Sequence, residues 1–178
     1  MVNTSAKILW ITLLVLVIVT SCIWYAIFCE ERAGLLTVSF LDIGQGDSIF
    51  IDAPSGRQVL IDGGKNRSVL RELSKVSPWY DRTIDVVVGT HPDQDHIGGL
   101  PDVLSRYKVS LIVESSVKDA GGSDASALES AAGKEAENGA KRLVAKRGQI
   151  IDLGRGAYIE ILFPDRSVPN VETNTGSI

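Results

Sequence analysis

Both histidines of this 178-residue chain fall within one stretch, Thr90-His91-Pro92-Asp93-Gln94-Asp95-His96-Ile97-Gly98-Gly99. Asp93 and Asp95 lie between them. Imidazole is a borderline-soft donor and carboxylate a hard one, so the set suits zinc, manganese or iron, whereas calcium takes oxygens alone. Alternate residues of an extended segment point the same way. His91, Asp93 and Asp95 are therefore expected to converge, with His96 reaching in as a helix begins. Four donors in six positions wrap a single ion badly. Two divalent ions, zinc before manganese, about 3.5–4 Å apart are the more natural arrangement, and such pairs catalyse hydrolytic displacements. The bland alternative is a solvated turn rich in Asp, Pro and Gly.

The elements around this stretch place it at a strand end. Ile84 to Gly89, "IDVVVG", is a nearly continuous apolar run, the mark of a strand covered on both faces. It delivers the chain directly into His91, where loops commonly carry function. Upstream, Thr37–Leu41, Ser48–Ile51 and Gln58–Ile61 read as strands separated by "DIGQGD" and "APSGR", an antiparallel meander. Asn66 is expected to cap a helix carrying Val69, Leu70, Leu73 and Val76, and Pro78 to end it. Downstream, Ile97–Ser105 reads as a short helix, Val109–Val113 as a strand, and alanine-rich Ser123–Gly139 as a surface helix. Arg142–Ala145, Gln149–Leu153 and Tyr158–Phe163 read as strands, and "PDRSVPNVETNTGSI" as an irregular polar tail. Strands that first meander and then alternate with helices imply helices covering a mixed sheet, an α/β or α+β sandwich.

Residues 1–34 are of another kind. Ile8 to Phe28 is 21 residues without a charge, enough to cross a hydrocarbon core of ~30 Å as a helix. It is expected to remain attached as a single-pass anchor, leaving residues 35–178 as the folded domain. A signal peptide has an apolar region of only about 7–15 residues. Val19-Thr20-Ser21-Cys22 resembles a lipoprotein cleavage box, but cleavage there leaves Ile23 to Phe28 apolar directly after the cysteine. Lys7 precedes the span and Glu30-Glu31-Arg32 follow it. The short head and acidic far flank favour the N-terminus inside and the domain outside. The domain has no cysteine, since Cys22 and Cys29 belong to the span, so neither a disulfide framework nor a thiolate zinc site is open to it. Its net charge of −4 equals that of the chain, with no basic stripe to mark a nucleic-acid footprint.

"THPDQDHIGG" resembles the His-x-(His or Asp)-x-Asp-His signature of the metallo-β-lactamase fold. With Asp in the middle position, preceded by "LDIGQGDSIFI…VLIDGG" and followed by "ILFP…N", it is most similar to the β-lactamase-like domain of ComEC-type competence proteins. The resemblance runs from about Leu36 onward. It implies that His91 and Asp93 serve a first metal and Asp95 and His96 a second, with Asp95 also orienting the nucleophilic water. It makes Asp62, at the end of the "IDGG" strand, a group that braces the ligand loop, with a plain turn aspartate as the alternative. Asp47 matches a position near the site, and a β-turn role suits it equally. Asn174 and Ser177 match a polar pair preceding a further strand. In the family that strand leads to a Gly-Asp bridging carboxylate and a later histidine, neither of which follows here, so the domain is expected to be a fragment containing the first half and part of the second.

These expectations combine into a membrane-tethered, metal-dependent hydrolase, bacterial and extracytoplasmic, acting on phosphodiester bonds of DNA in a competence or DNA-uptake role. Asp93 stands where β-lactamases proper usually carry histidine, which turns the expectation away from that activity. The alternative from another class is a truncated or degenerate module that binds metal or a partner without catalysis.

Overall fold

The computed structural model describes residues 4–30, 34–117, 122–164 and 177–178. The chain divides into two compact units, Met1–Leu35 and Leu36–Ile178. The first is one helix, α1 (Thr4–Glu30), within which Ser5–Ile27 is long and apolar enough to cross a membrane. Lys7 is the one charged residue of Ser5–Ile27, and the hydroxyls of Thr12 and Thr20 are returned to their own helix at Ile8 O and Leu16 O.

The second unit is a mixed six-stranded sheet carrying helices on one face and a hairpin on the other. The strands β1 (Thr37–Phe40), β2 (Ile49–Asp52) and β3 (Gln58–Ile61) form the antiparallel meander. Helix α2 (Ser68–Val76) returns the chain to β4 (Thr83–Gly89), which lies parallel to β3. Two short helices, α3 (Gln94–Ile97) and α4 (Leu100–Leu104), lead to β5 (Lys108–Glu114). Then α5 (Ser123–Glu137) leads to β6 (Lys141–Val144), and the sheet runs in the order β1-β2-β3-β4-β5-β6. Strands β7 (Ile150–Gly154) and β8 (Ala157–Glu160) pair with each other in a separate two-stranded sheet. This is the mixed α/β architecture expected from a meander followed by strand–helix alternation.

Two apolar layers hold it. Leu60, Ile84, Val87, Val109 and Ile112 of the sheet pack with Val69, Leu73, Leu100, Val103 and Leu128 of the helices. On the opposite face Val59, Val86, Val88 and Val113 meet Ile151, Leu153 and Ile161 of the hairpin region. Covered on both sides, β4 needs apolar residues at successive positions, which is why its run does not alternate.

Local details depart from the sequence expectation in three places. The helix expected over Ile97–Ser105 splits into α3 and α4, because Gly98 and Gly99 pass against the backbone of residues 63–66 where a side chain would collide. Helix α2 begins two residues beyond Asn66, whose side-chain oxygen accepts the Ser68 N–H at 2.9 Å. Strand β8 stops at Glu160, short of Phe163. The polar tail falls almost entirely outside the described residues.

Gly46 has φ +89°, and a methyl group there would overlap the Asp95 carbonyl. Gly133, in α5, faces open space. Gly46→Ala is expected to lower stability by about 1–3 kcal/mol, the range for forcing atoms into a packed site. Gly133→Ala should raise it by about 0.5–1 kcal/mol through helix propensity alone. Urea unfolding of both variants checks the pair.

Candidate metal centre

The site lies at the carboxyl ends of β3 and β4, where open α/β sheets commonly place ligands. Parallel pairing of Ile61 with Val88 brings Asp62 and Thr90 out side by side. Asp62 N–H donates to Val88 O at 2.8 Å. The Asp62 carboxylate then takes over from the backbone ladder: Oδ1 accepts Thr90 N–H at 2.8 Å, and Oδ2 accepts the Thr90 hydroxyl at 2.6 Å. Asp62 adopts φ +58°, a left-handed conformation that Asp tolerates better than most residues.

The same Oδ2 lies 2.9 Å from His96 Nδ1. Asp62 is only 3% exposed, and its burial pushes the carboxyl pKa up, while the Thr90 and His96 hydrogen bonds pull it back. With a carboxylate accepting at Nδ1, His96 carries its proton there and presents Nε2 as a lone pair. Carboxylate–histidine pairs of this kind orient metal-binding imidazoles.

Thr90 extends the chain of bonds to the other histidine. Its hydroxyl has one proton, given to Asp62, so toward His91 Nδ1 at 3.0 Å it can only accept. His91 therefore also carries its proton on Nδ1. Ser177 Oγ lies 3.4 Å from the same nitrogen, and Ile178 N–H donates to Thr90 O at 3.1 Å. His91 is 5% exposed, and its Nε2 is buried with no hydrogen-bond partner. That orphaned lone pair faces Asp93 Oδ2 at 3.5 Å. Two donors held to one ion at roughly 2.0–2.2 Å in tetrahedral geometry stand about 3.3–3.6 Å apart. The His91–Asp93 gap fits one ion, and the orphaned nitrogen is what such an ion would satisfy. The His91 and His96 rings lie 3.9 Å apart between centroids, tilted by 46°.

Asp95 is placed differently from the expectation. Extended backbone ends at Asp93, and α3 starts at Gln94. Alternation therefore ceases before Asp95, which lies exposed in the first helical turn and makes no hydrogen bond or ion pair with the cluster. Among the described residues no three His, Cys, Asp or Glu side chains converge into a ligand set. Asp47 is exposed and meets the site's frame through its backbone carbonyl, which accepts Gly64 N–H at 3.1 Å. Asn174 lies outside the described residues.

Two participants went unread in the sequence. Thr90 looked like a mere neighbour of His91, although a buried ligand histidine needs an acceptor for its second nitrogen, and that requirement points to adjacent polar residues. The other is an ion network beside the cluster. Arg142 forks onto Glu114 at 2.8–3.2 Å and onto Glu129 at 2.6–2.9 Å, and these carboxylates hold its pKa above the usual arginine value. The three line a cavity of about 550 Å³ with His91, Ile97 and Leu128. No short-range pattern connects Glu114, Glu129 and Arg142.

Residues 41–174 match the family model of the metallo-β-lactamase superfamily. The chain belongs to that superfamily. Among solved structures it is similar to a metallo-β-lactamase from Cronobacter sakazakii with a HARLDQ motif, at 17% identity and a TM-score of 0.45, over 66% of this chain and 46% of that one. The Rm3 metallo-β-lactamase gives 18% identity and a TM-score of 0.46, over 73% and 53%. The metallo-β-lactamase SMB-1 bound to 2-mercaptoethanesulfonate gives 11% and 0.45, over 65% and 46%. The chain thus spans about half the length of the solved structures it matches. No curated protein sequence matches it significantly.

Asp62→Asn keeps the left-handed backbone conformation but replaces one acceptor oxygen with a donor facing Thr90 or His96. It is expected to cost about 1–3 kcal/mol, the penalty for an unsatisfied buried partner, read as a lower denaturation midpoint. In the metal-free wild type at neutral pH, long-range ¹H–¹⁵N NMR should find both imidazoles as Nδ1–H tautomers.

Proposed function

We propose that this protein is a metal-dependent hydrolase in which His91 and Asp93 hold one divalent ion and Asp95 and His96 help hold a second. The observation that carries it is the buried, unpartnered Nε2 of His91 facing the Asp93 carboxylate. Superfamily membership supports the same chemistry, since members typically bind divalent metals. Zinc suits the imidazole–carboxylate donors best, with manganese next. Such ions supply Lewis acidity and bring the pKa of a water nucleophile to near 7.

The protein's own residues do the positioning. Asp62 sets the His96 tautomer directly and the His91 tautomer through Thr90, so both Nε2 lone pairs are left free before any ion arrives. Asp95, exposed in the first turn of α3 beside His96, would orient the nucleophile and take its proton on turning toward the ions. Phosphodiester bonds of DNA are the proposed target, in a role like that of ComEC-type competence proteins, on the similarity of "LDIGQGD", "IDGG" and the central Asp93. Glu114, Glu129 and Arg142 together leave the cavity wall with one net negative charge, so phosphate recognition falls to the ions. The apolar α1 supports a tethered protein, and the proposal puts the domain outside on the flanking charges, Lys7 before the span and Glu30-Glu31-Arg32 after it.

The outward position of Asp95 and the lack of a converged three-donor set favour a second reading, a module that binds metal or a partner without catalysis. Elemental analysis and phosphodiesterase assays separate the two, run on this chain and on the domain extended to the length of its relatives. The extended domain is expected to retain two ions and this chain few. In the extended domain Asp95→Asn should lower turnover by about 10²–10⁴-fold, the contribution of a positioned proton-transfer group. Gln94→Ala should change little. Full turnover in Asp95→Asn with unchanged metal content would sink the hydrolase proposal.

A further inference from the structure

The cavity that His91 shares with the Glu114–Arg142–Glu129 network lies at the ends of three parallel strands. Pairing of Gly89 with Glu114, and of Glu114 with Val144, lines up β4, β5 and β6 at this edge. Helix α5 closes one side with Leu128, 8% exposed, and α3 adds Ile97, 3% exposed. Gly89 keeps this floor open, since a methyl group on it would stand 3.5 Å from Ile97 Cγ2 and 3.9 Å from Leu128 Cδ2. The space of about 550 Å³ is in the range of pockets that hold small organic groups.

Its wall has more acceptors than donors. Arg142 gives Nε and Nη2 to Glu114, and Nη1 and Nη2 to Glu129. Those bonds commit one Nε, one Nη1 and two Nη2 hydrogens, four of the five that a guanidinium has, while the two carboxylates can only accept. Among the described residues no other fully charged side chain lines the cavity. Two carboxylates against one guanidinium disfavour an anion there. The group that fits has an apolar body for Ile97, Leu128 and Val144, and N–H donors for Glu114 or Glu129. Val144 and the Glu129 side chain are exposed, so the mouth is open to a group arriving from solvent.

A nucleobase answers that description. Adenine, cytosine and guanine carry exocyclic amino groups that a Glu or Asp can accept from, whereas thymine presents carbonyl oxygens and a methyl group. An unstacked base is held between apolar side chains with its edge hydrogen-bonded. Because His91 borders the cavity, a base seated in it brings the attached phosphodiester to the candidate metal centre.

We propose that this cavity seats one unpaired, amino-bearing nucleobase of a single strand, beside the phosphodiester bond presented to the ions. Glu114 and Glu129, held in place by Arg142, select adenine, cytosine or guanine over thymine. This inference rests on the hydrolase reading of the site and adds the part of the substrate that is recognised.

Neutral nucleosides test the cavity apart from the ions. The full chain in detergent micelles, free of metal, is titrated with deoxycytidine and with thymidine, two pyrimidines of like size, while the Leu128 and Val144 methyl NMR signals are followed. Deoxycytidine is expected to shift both signals and to bind about fivefold or more tightly than thymidine, the value of one good base contact. Glu129→Gln should narrow that ratio, and Val144→Trp, which crowds the mouth, should abolish the shift at Leu128. Equal affinities in the wild type, or a Leu128 shift that survives Val144→Trp, overturn the cavity assignment. In the extended domain, strands of cytosine should be cut faster than strands of thymine. Equal rates with the nucleoside preference intact overturn the strand as the source of the base and leave the hydrolase reading standing. A nucleoside preference with no turnover of either strand overturns the hydrolase reading and leaves the cavity a nucleobase site.

Discussion

A single buried carboxylate organises the candidate site. Asp62 accepts from the Thr90 amide, the Thr90 hydroxyl and His96 Nδ1, and each bond does something different. The amide bond continues the β3–β4 ladder one step past the strands. The hydroxyl bond fixes the direction in which Thr90 can accept, and hence the tautomer of His91. The imidazole bond fixes that of His96. Burial raises the free energy of the charged form, and the donors around it offset part of that cost. A buried carboxylate with too few donors is expensive, so the geometry of residues 90–96 and the ionisation of Asp62 are one problem with one solution.

Close packing turns that solution into a shape. Helix α3 touches the strand-end loop through main-chain bonds, Gly63 N–H to His96 O at 2.7 Å and Gly99 N–H to Gly64 O at 2.9 Å. Backbones approach this closely only without side chains between them, and a methyl group on Gly99 would collide with Gly63 O. The paired glycines after Asp62 and after Ile97 thus serve one contact from its two sides. The histidine-bearing turn is pinned at both ends, by the apolar β4 run before it and by α3–α4 after it. The candidate ligands His91 and Asp93 occupy the short span between.

The sheet also has a polarity along its length. Its carboxyl-terminal end gathers Asp62, Thr90, His91 and His96, together with the Glu114–Arg142–Glu129 network. Parallel strands make this polarity unavoidable, because every β–α–β step starts and finishes at fixed ends. Three parallel steps from β3 to β6 place the acidic and imidazole groups together without any of them being near in sequence to Asp62.

Local pattern alone determined much of this protein. Alternation and turn residues marked β1 to β3, the unbroken apolar run marked a doubly covered β4, and the spacing of two histidines and two aspartates raised the expectation of a metal site. These signals are short-range, arising from side-chain period, turn conformation and donor type within a few residues. The tertiary structure decided what depends on distance. It turned Asp95 outward by starting a helix at Gln94, and it made Thr90 the link between Asp62 and His91. It also joined Glu114, Glu129 and Arg142, residues 13–28 positions apart, into one network. None of these can be read from the residues in order, because each is set by parallel strands that bring separate segments to a common edge.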